Sequence, residues 1–328
     1  MKILIIQTAF IGDVILATPV LETLRRAHTD AHIDVLVRAG CERLFEGHPS
    51  VGRVWVWRKK GRKYANLLRL IGELRRERYD WAINCQRFAA SGLLTVSCGA
   101  RHTAGFDKNP FSLFFSKKIA HRIGQGHETE RNLSLVAHLA PDSARFARPC
   151  LYPQAKHIAE LGEWEQGAYV TMAPASVWPT KQWPEHKWVE LMRLIPPDYR
   201  IALIGGPEDR DLCARILEAG GRGRGENLAG RLSLLASAAL MSRAAMCYVN
   251  DSAPLHLASA VNAPVCAVFC STLPEFGFGP LSDRSFVLQT EERLPCRPCG
   301  LHGKYACPKG HFACAEGIDP ARAPLPGA

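Results

Sequence analysis

Residues 2–13 read K-I-L-I-I-Q-T-A-F-I-G-D: four consecutive apolar residues, a polar break, then a glycine and an acid opening a helical pattern. A short unbroken apolar run bounded by turn residues marks a strand buried on both faces, the way parallel sheets are packed. Working outward, a helix is expected from about 13 to 28, and strands at 32–38 and 53–57. Tyr64, Leu67, Leu68, Ile71 and Leu74 then recur at helical spacing while Arg62, Lys63, Arg69, Arg75 and Arg76 fall elsewhere, which predicts a helix with one buried stripe and a basic face. Strand 81–85 follows it. Strands alternating with helices imply a parallel, doubly wound sheet.

Between about 141 and 166 the periodicity weakens, and Y-V-T-M-A-P restarts the same plan. Strands are expected at 168–173, 200–204, 246–249 and 264–269, and helices at 184–195, 208–219, 233–243 and 254–261. The chain is therefore read as α/β with two Rossmann-like domains, 1–155 and 156–328, facing one cleft. Its 328 residues suit two domains of roughly 150 each. The Pro- and Gly-rich tail after about 317 reads as disordered.

With 47% hydrophobic and 22% charged residues the composition is that of an ordinary globular protein, not a collagen-like or disordered one. Only four consecutive apolar residues precede Gln7, too few for a signal-peptide core, and no apolar run approaches about 18 residues, so a cytoplasmic chain without a membrane span is expected. Forty-one Lys and Arg against thirty-one Asp and Glu leave +10, which favours an anionic partner. Eight of the twelve cysteines lie singly in apolar segments and read as reduced core thiols.

In open α/β sheets ligands sit beyond the carboxyl ends of the strands. Four such places carry chemistry. In Q-T-A-F-I-G-D, Gly12 permits a tight turn and Asp13 begins a helix, where the dipole favours the carboxylate as a proton acceptor; a plain N-terminal cap is the alternative. A dinucleotide turn is disfavoured because G-x-G-x-x-G is absent. In A-P-A-S-V-W-P-T-K, Ser176 and Lys181 form an anion cradle able to meet a diphosphate, or a packed surface loop with a solvated lysine. In N-D-S-A-P-L-H, Asp251 or Ser252 caps a helix whose first amides point at a phosphate, with His256 one turn on; a cap plus a packed histidine is the alternative. In G-G-P-E-D-R-D, Glu208 is placed to accept from ribose hydroxyls, or is an ordinary first-turn acid.

Taken in order, F-I-G-D-V-I-L-A-T-P, W-P-T-K-Q-W-P, L-I-G-G-P-E-D, N-L-A-G-R-L-S-L, N-D-S-A-P-L-H-L-A-S-A and C-R-P-C…C-P…C resemble the ADP-heptose:lipopolysaccharide heptosyltransferases, glycosyltransferase family 9, over nearly the whole chain. The resemblance implies the GT-B fold and an inverting, metal-independent transferase that needs no cofactor. Its donor would be ADP-heptose and its acceptor a lipopolysaccharide core precursor. By position it implies Asp13 as general base, Lys181 as the donor-phosphate lysine and Ser176 in the phosphate-facing loop. Glu208 would lie near the ribose, Leu232 beside adenine, and Asp251, Ser252, Ala253 and His256 around the diphosphate and sugar. Ala253 stands where the family usually has Gly, and F-C-S-T at 269–272 replaces the commoner F-G-x-T, so a Cβ alters how closely backbone approaches phosphate.

Cys296, Cys299, Cys307 and Cys314 offer enough ligands for a structural zinc, though their spacing is looser than the usual two tight pairs; free thiols or a redox-dependent disulfide are the alternatives. R-K-K-G-R-K at 58–63, including Arg62 and Lys63, is an acceptor-side candidate for an anionic glycolipid, as are Gly12 and His127. Phe111, Phe114 and Phe115 beside Lys117 and Lys118 are read as contacts with the inner face of a membrane, or as a buried aromatic cluster. The rival functions are a family member using another nucleotide sugar or surface-glycan acceptor, and a non-catalytic nucleotide- or nucleic-acid-binding protein. No nucleic-acid-binding module is recognisable, and nucleic acid is not an expected partner.

Overall fold

The structure, a computed structural model, describes residues 1–142, 145, 148–221 and 223–327. It divides into two compact units, Met1–Tyr152 and Pro153–Ala328. The first unit is a parallel sheet of β1 (Lys2–Gln7), β2 (His32–Arg38), β3 (Val54–Trp57), β4 (Trp81–Asn84), β5 (His102–Phe106) and β6 (Lys117–Ile119), in the order β3-β2-β1-β4-β5-β6. The second repeats it with β7 (Tyr169–Ala173), β8 (Arg200–Leu203), β9 (Gly225–Asn227), β10 (Met246–Asn250), β11 (Val265–Phe269) and β12 (Ser285–Gln289), ordered β12-β11-β10-β7-β8-β9. Each sheet reverses its winding once, between β1 and β4 and between β7 and β10. Loops leaving such neighbours part in opposite directions and open a crevice at the carboxyl edge.

The central strands follow from composition: Ile3, Leu4 and Ile6 of β1 and every residue of β7, β10 and β11 are buried. Of the edge strands, β3 falls where residues 53–57 were expected to form one, but β6, β9 and β12 were not legible. β6 is Lys-Lys-Ile and β12 keeps Phe286 and Val287 exposed, so neither shows a buried period.

Three local expectations are corrected. The helix expected over 13–28 is two helices, Ile11–Leu16 and Thr18–Ala27. Pro19 has no N–H to give the Ile15 carbonyl, and the Thr18 hydroxyl donates there instead at 2.7 Å. In the helix Lys63–Arg76 the buried stripe is Leu67, Leu70, Ile71 and Leu74, whereas Tyr64 and Leu68 are exposed. The tail is ordered on the second unit: Ile318 and Ala323 join its core, and the Tyr248 hydroxyl donates to the Pro324 carbonyl at 2.7 Å. Removing residues 318–327 is therefore expected to cost about 3 kcal/mol, seen as a lower thermal midpoint; an unchanged midpoint would mean the tail contributes nothing.

Candidate active site

Each winding reversal carries one cluster of functional groups. In the first unit Thr8, just past β1, donates its hydroxyl to Gln86 Oε1 just past β4 at 2.7 Å, tying the two strand-end loops together. Asp13 is the third residue of the helix that leaves the first of these loops, and its Oδ2 accepts the Phe10 N–H at 3.2 Å. Gly12 lies beside it as the second helical residue, in the first turn of a helix and not in a tight turn.

Burial raises the Asp13 carboxyl from an ordinary 3.8 to about 6; Glu128 pushes the same way, while the backbone N–H groups of Phe10 and Asp13 and the Arg87 guanidinium pull it back. The expected dominance of the helix dipole does not hold, because a six-residue helix does not offset the desolvation of a carboxylate. Glu128 stays charged: burial raises its carboxyl, but His121 at 3.8 Å and the Arg131 Nε at 2.8 Å together hold it below the usual range. Sequence reasoning missed Glu128 and Arg87, which nothing local to residue 13 points to.

His127 is committed to structure. Its Nδ1 accepts the Thr129 N–H at 3.2 Å and its own N–H donates to Glu130 Oε2 at 2.9 Å, opening the helix Glu128–Ser134. Arg62 is exposed just ahead of the helix that Lys63 begins; the Lys63 side chain lies outside the described ones. From the same basic run, Lys59 reaches the Thr8 carbonyl at 2.5 Å. The aromatic reading is corrected in part. Phe115 is buried over Gly105, where an added Cβ would meet its ring at 2.4 Å, whereas Leu113 and Phe114 are 81% and 72% exposed.

In the second unit the loops after β7 and β10 meet across the reversal. Lys181 Nζ pairs with Asp251 Oδ2 at 2.6 Å, and the Thr272 hydroxyl, just past β11, donates to the same oxygen at 2.6 Å. Asn250 joins the loops from beneath, giving its Nδ2 hydrogen to the Pro174 carbonyl and taking the Trp183 N–H. Ser176 is half-buried in the first loop, and its carbonyl accepts from Gln182 at 2.7 Å.

The capping expectation is corrected: Ser252 occupies the cap position of the helix Ala253–Ala260 without a side-chain bond to its amides. Its hydroxyl faces the carbonyls of Ala175 and Asn250 at 3.4 Å, and Asp251 is engaged by Lys181 and Thr272. Ala253 is the first residue of this helix, so a glycine conformation is not required there. His256 is buried one turn on, its ring 6.4 Å from that of Phe278. Glu208 is exposed beyond β8, in a turn where Asp209 Oδ2 accepts the Gly206 N–H at 2.8 Å.

Two candidates are not brought into this cluster. Leu232 lines a separate cavity of about 120 Å³ with Leu161, Trp164, Leu228 and Arg231, and neither Lys181, Asp251 nor Glu208 borders it. Among the described residues no three His, Cys, Asp or Glu side chains converge as a metal site. Cys314 is buried, while Cys296 faces His311 at 3.9 Å and Cys299 faces the Cys296 carbonyl, so the zinc reading of Cys296, Cys299, Cys307 and Cys314 is not supported.

The sequence profile of glycosyltransferase family 9 (heptosyltransferase) matches residues 67–304. The chain belongs to this family. It is a glycosyltransferase, and its two Rossmann-like units are those of the GT-B fold. Lipopolysaccharide heptosyltransferase 3 of Escherichia coli is 29% identical over 277 residues, 80% of this chain and 82% of that protein. Lipopolysaccharide heptosyltransferase 1 of Pseudomonas aeruginosa is 29% identical over 330 residues, 91% of this chain and 86% of that protein. The structure of E. coli ADP-heptose lps heptosyltransferase II superposes with a TM-score of 0.80 at 24% identity, covering 98% of this chain and 96% of that one, a likeness of fold.

Proposed function

We propose that the chain transfers heptose from ADP-heptose to a hydroxyl of a lipopolysaccharide core acceptor in one inverting displacement. The second unit holds the donor and the first holds the acceptor. The acceptor oxygen attacks the anomeric carbon, the bond from that carbon to the β-phosphate oxygen breaks, and ADP leaves with the electron pair. The acceptor proton passes to the Asp13 carboxylate. Lys181 and the first amides of the helix Ala253–Ala260 meet the charge growing on the diphosphate.

The observation that carries this reading is the division of labour between the winding reversals: a desolvated carboxylate at one, a lysine held by a buried aspartate at the other. The relatives' printed names supply the sugar, the nucleotide and the acceptor class. The basic run around Lys59 and Arg62 suits a phosphorylated acceptor. Exposed Leu113 and Phe114 beside Lys117 and Lys118 suit peripheral contact with an anionic membrane on the cytoplasmic side. Ala253 and Cys270, which stand where the family has glycine, favour including other nucleotide sugars in a donor screen.

The test is product analysis after incubation with ADP-heptose and a set of truncated lipopolysaccharide cores. ADP release with a heptosylated core of inverted anomeric configuration is expected, and retention of configuration would overturn the mechanism. The pH profile is a further check. With the Asp13 carboxyl at about 6 in the free enzyme, kcat/KM should fall about tenfold per pH unit below 6 and level off above about 7. A profile flat down to pH 5 would remove a base of that pKa.

A further inference from the structure

The segment 296–304 makes a continuous set of contacts with the loop that follows β7 and with the end of β11. Arg297, half-buried, gives its Nε hydrogen to the Cys270 carbonyl at 2.7 Å. Its Nη2 reaches the carbonyls of Phe269 and Thr272 at 3.1 and 2.8 Å and Gln289 Oε1 at 2.8 Å. One guanidinium thus organises the strand end from which Thr272 reaches Asp251. The Cys299 N–H donates to the Ser271 carbonyl at 2.9 Å, and the Ser271 hydroxyl bonds Thr180 Oγ1 at 3.1 Å. Thr180 is then clasped by Lys304, which takes its N–H at 3.1 Å and gives its own N–H to its hydroxyl at 2.7 Å.

The backbone between these tethers lies directly on Lys181. Gly303 has φ +77°, and a Cβ added there would meet Lys181 Cγ and Thr180 Oγ1, both at 3.1 Å, and Trp178 Cβ at 3.3 Å. Both a left-handed backbone and close contact with the lysine stem require glycine at this position.

We infer that residues 296–304 are a strap that positions Lys181 and Asp251 for the donor pyrophosphate, with Arg297 and Gly303 as positioning residues that do not touch the donor. Arg297 acts through Thr272 on Asp251 and, through that carboxylate, on where the paired Lys181 ammonium is held; Gly303 acts through Thr180 and the stem of Lys181. The inference rests on the assignment of Lys181 to the donor phosphate. It gives the cysteine-rich segment a role that needs no metal ligand.

The experiment is calorimetric titration of the full chain with ADP, using Arg297→Ala, Gly303→Val, Lys181→Ala and the doubles of each strap variant with Lys181→Ala. Both strap variants are expected to weaken ADP binding about tenfold, the scale of a disturbed charge-assisted contact, while KM for the acceptor stays unchanged. Each double variant should bind no more weakly than Lys181→Ala alone, because the strap acts through the lysine. A merely structural role would lower the thermal midpoint without this non-additivity. Wild-type ADP affinity in a folded Gly303→Val protein, or losses that simply add to that of Lys181→Ala, would overturn the strap. If Arg297→Ala does not fold, Gly303→Val decides. An Lys181→Ala protein that binds ADP normally would instead sink the donor assignment, and the strap with it.

Discussion

Asp13→Asn is expected to lower turnover by about two to four orders of magnitude while leaving ADP affinity within about twofold of wild type. The substitution is nearly isosteric, and the asparagine oxygen keeps the acceptor position that Oδ2 now offers to the Phe10 N–H, so the short helix is preserved. What disappears is the basic lone pair. The same variant should behave oppositely in stability. A carboxyl raised in the folded state from 3.8 to about 6 binds a proton more readily folded than unfolded, so the wild type loses stability as pH rises across that interval and remains at the lower level above it. Asparagine has no charge to desolvate. Its advantage should be small near pH 4, grow through pH 6 and level off at about 3 kcal/mol, read as a thermal midpoint a few degrees above wild type at pH 8. Unchanged turnover would remove Asp13 from the chemistry. A midpoint difference that does not vary with pH would show that its carboxylate is not desolvated.

This opposition explains what the sequence made legible and what it did not. The strand at residues 2–7 was readable because Ile3 to Ile6 are apolar without interruption, and Asp13 was conspicuous because it follows a strand end directly. The raised pKa on which the role proposed for Asp13 rests was not readable. It depends on Glu128, more than a hundred residues away and held charged by Arg131, and on burial by neighbours that only the strand order assembles. Lys181 and Asp251 were each visible as strand-end residues, but their pairing requires β7 and β10 to be adjacent, and no local pattern encodes that. Composition misled at the tail, where prolines and glycines concealed the docking of Ile318 and Ala323. It misled again at Phe115, which reads like its exposed neighbours Leu113 and Phe114 but fills the space that Gly105 leaves.

Lys181→Ala should produce the other large effect, and its origin is double. The lysine side chain is 14% exposed and its partner Asp251 5%, so truncation leaves a buried carboxylate with Thr272 as its remaining side-chain hydrogen-bond donor. Breaking such a pair from one side costs about 3–5 kcal/mol of stability, more than the pair itself contributes, because the unpaired charge stays desolvated. On the proposed donor assignment the same uncompensated charge would face the incoming pyrophosphate, so that ADP binding would suffer both a lost attraction and an added repulsion. A loss of about a hundredfold in ADP affinity is expected, with slower transfer at saturating donor. Asp251→Asn separates the two contributions. If the lysine serves the diphosphate and the aspartate serves to hold it and to meet the sugar, the asparagine variant keeps or improves ADP affinity because the ammonium is released to the anion. It should lose most of the preference for ADP-heptose over ADP. Adding Asp251→Asn to Lys181→Ala should recover part of the lost ADP affinity by removing the repulsion. Titrations of the three variants with ADP and ADP-heptose read all of this directly. A double variant no better than Lys181→Ala would mean that Asp251 does not face the pyrophosphate, and that the winding reversal of the second sheet is not where the leaving group's charge is met.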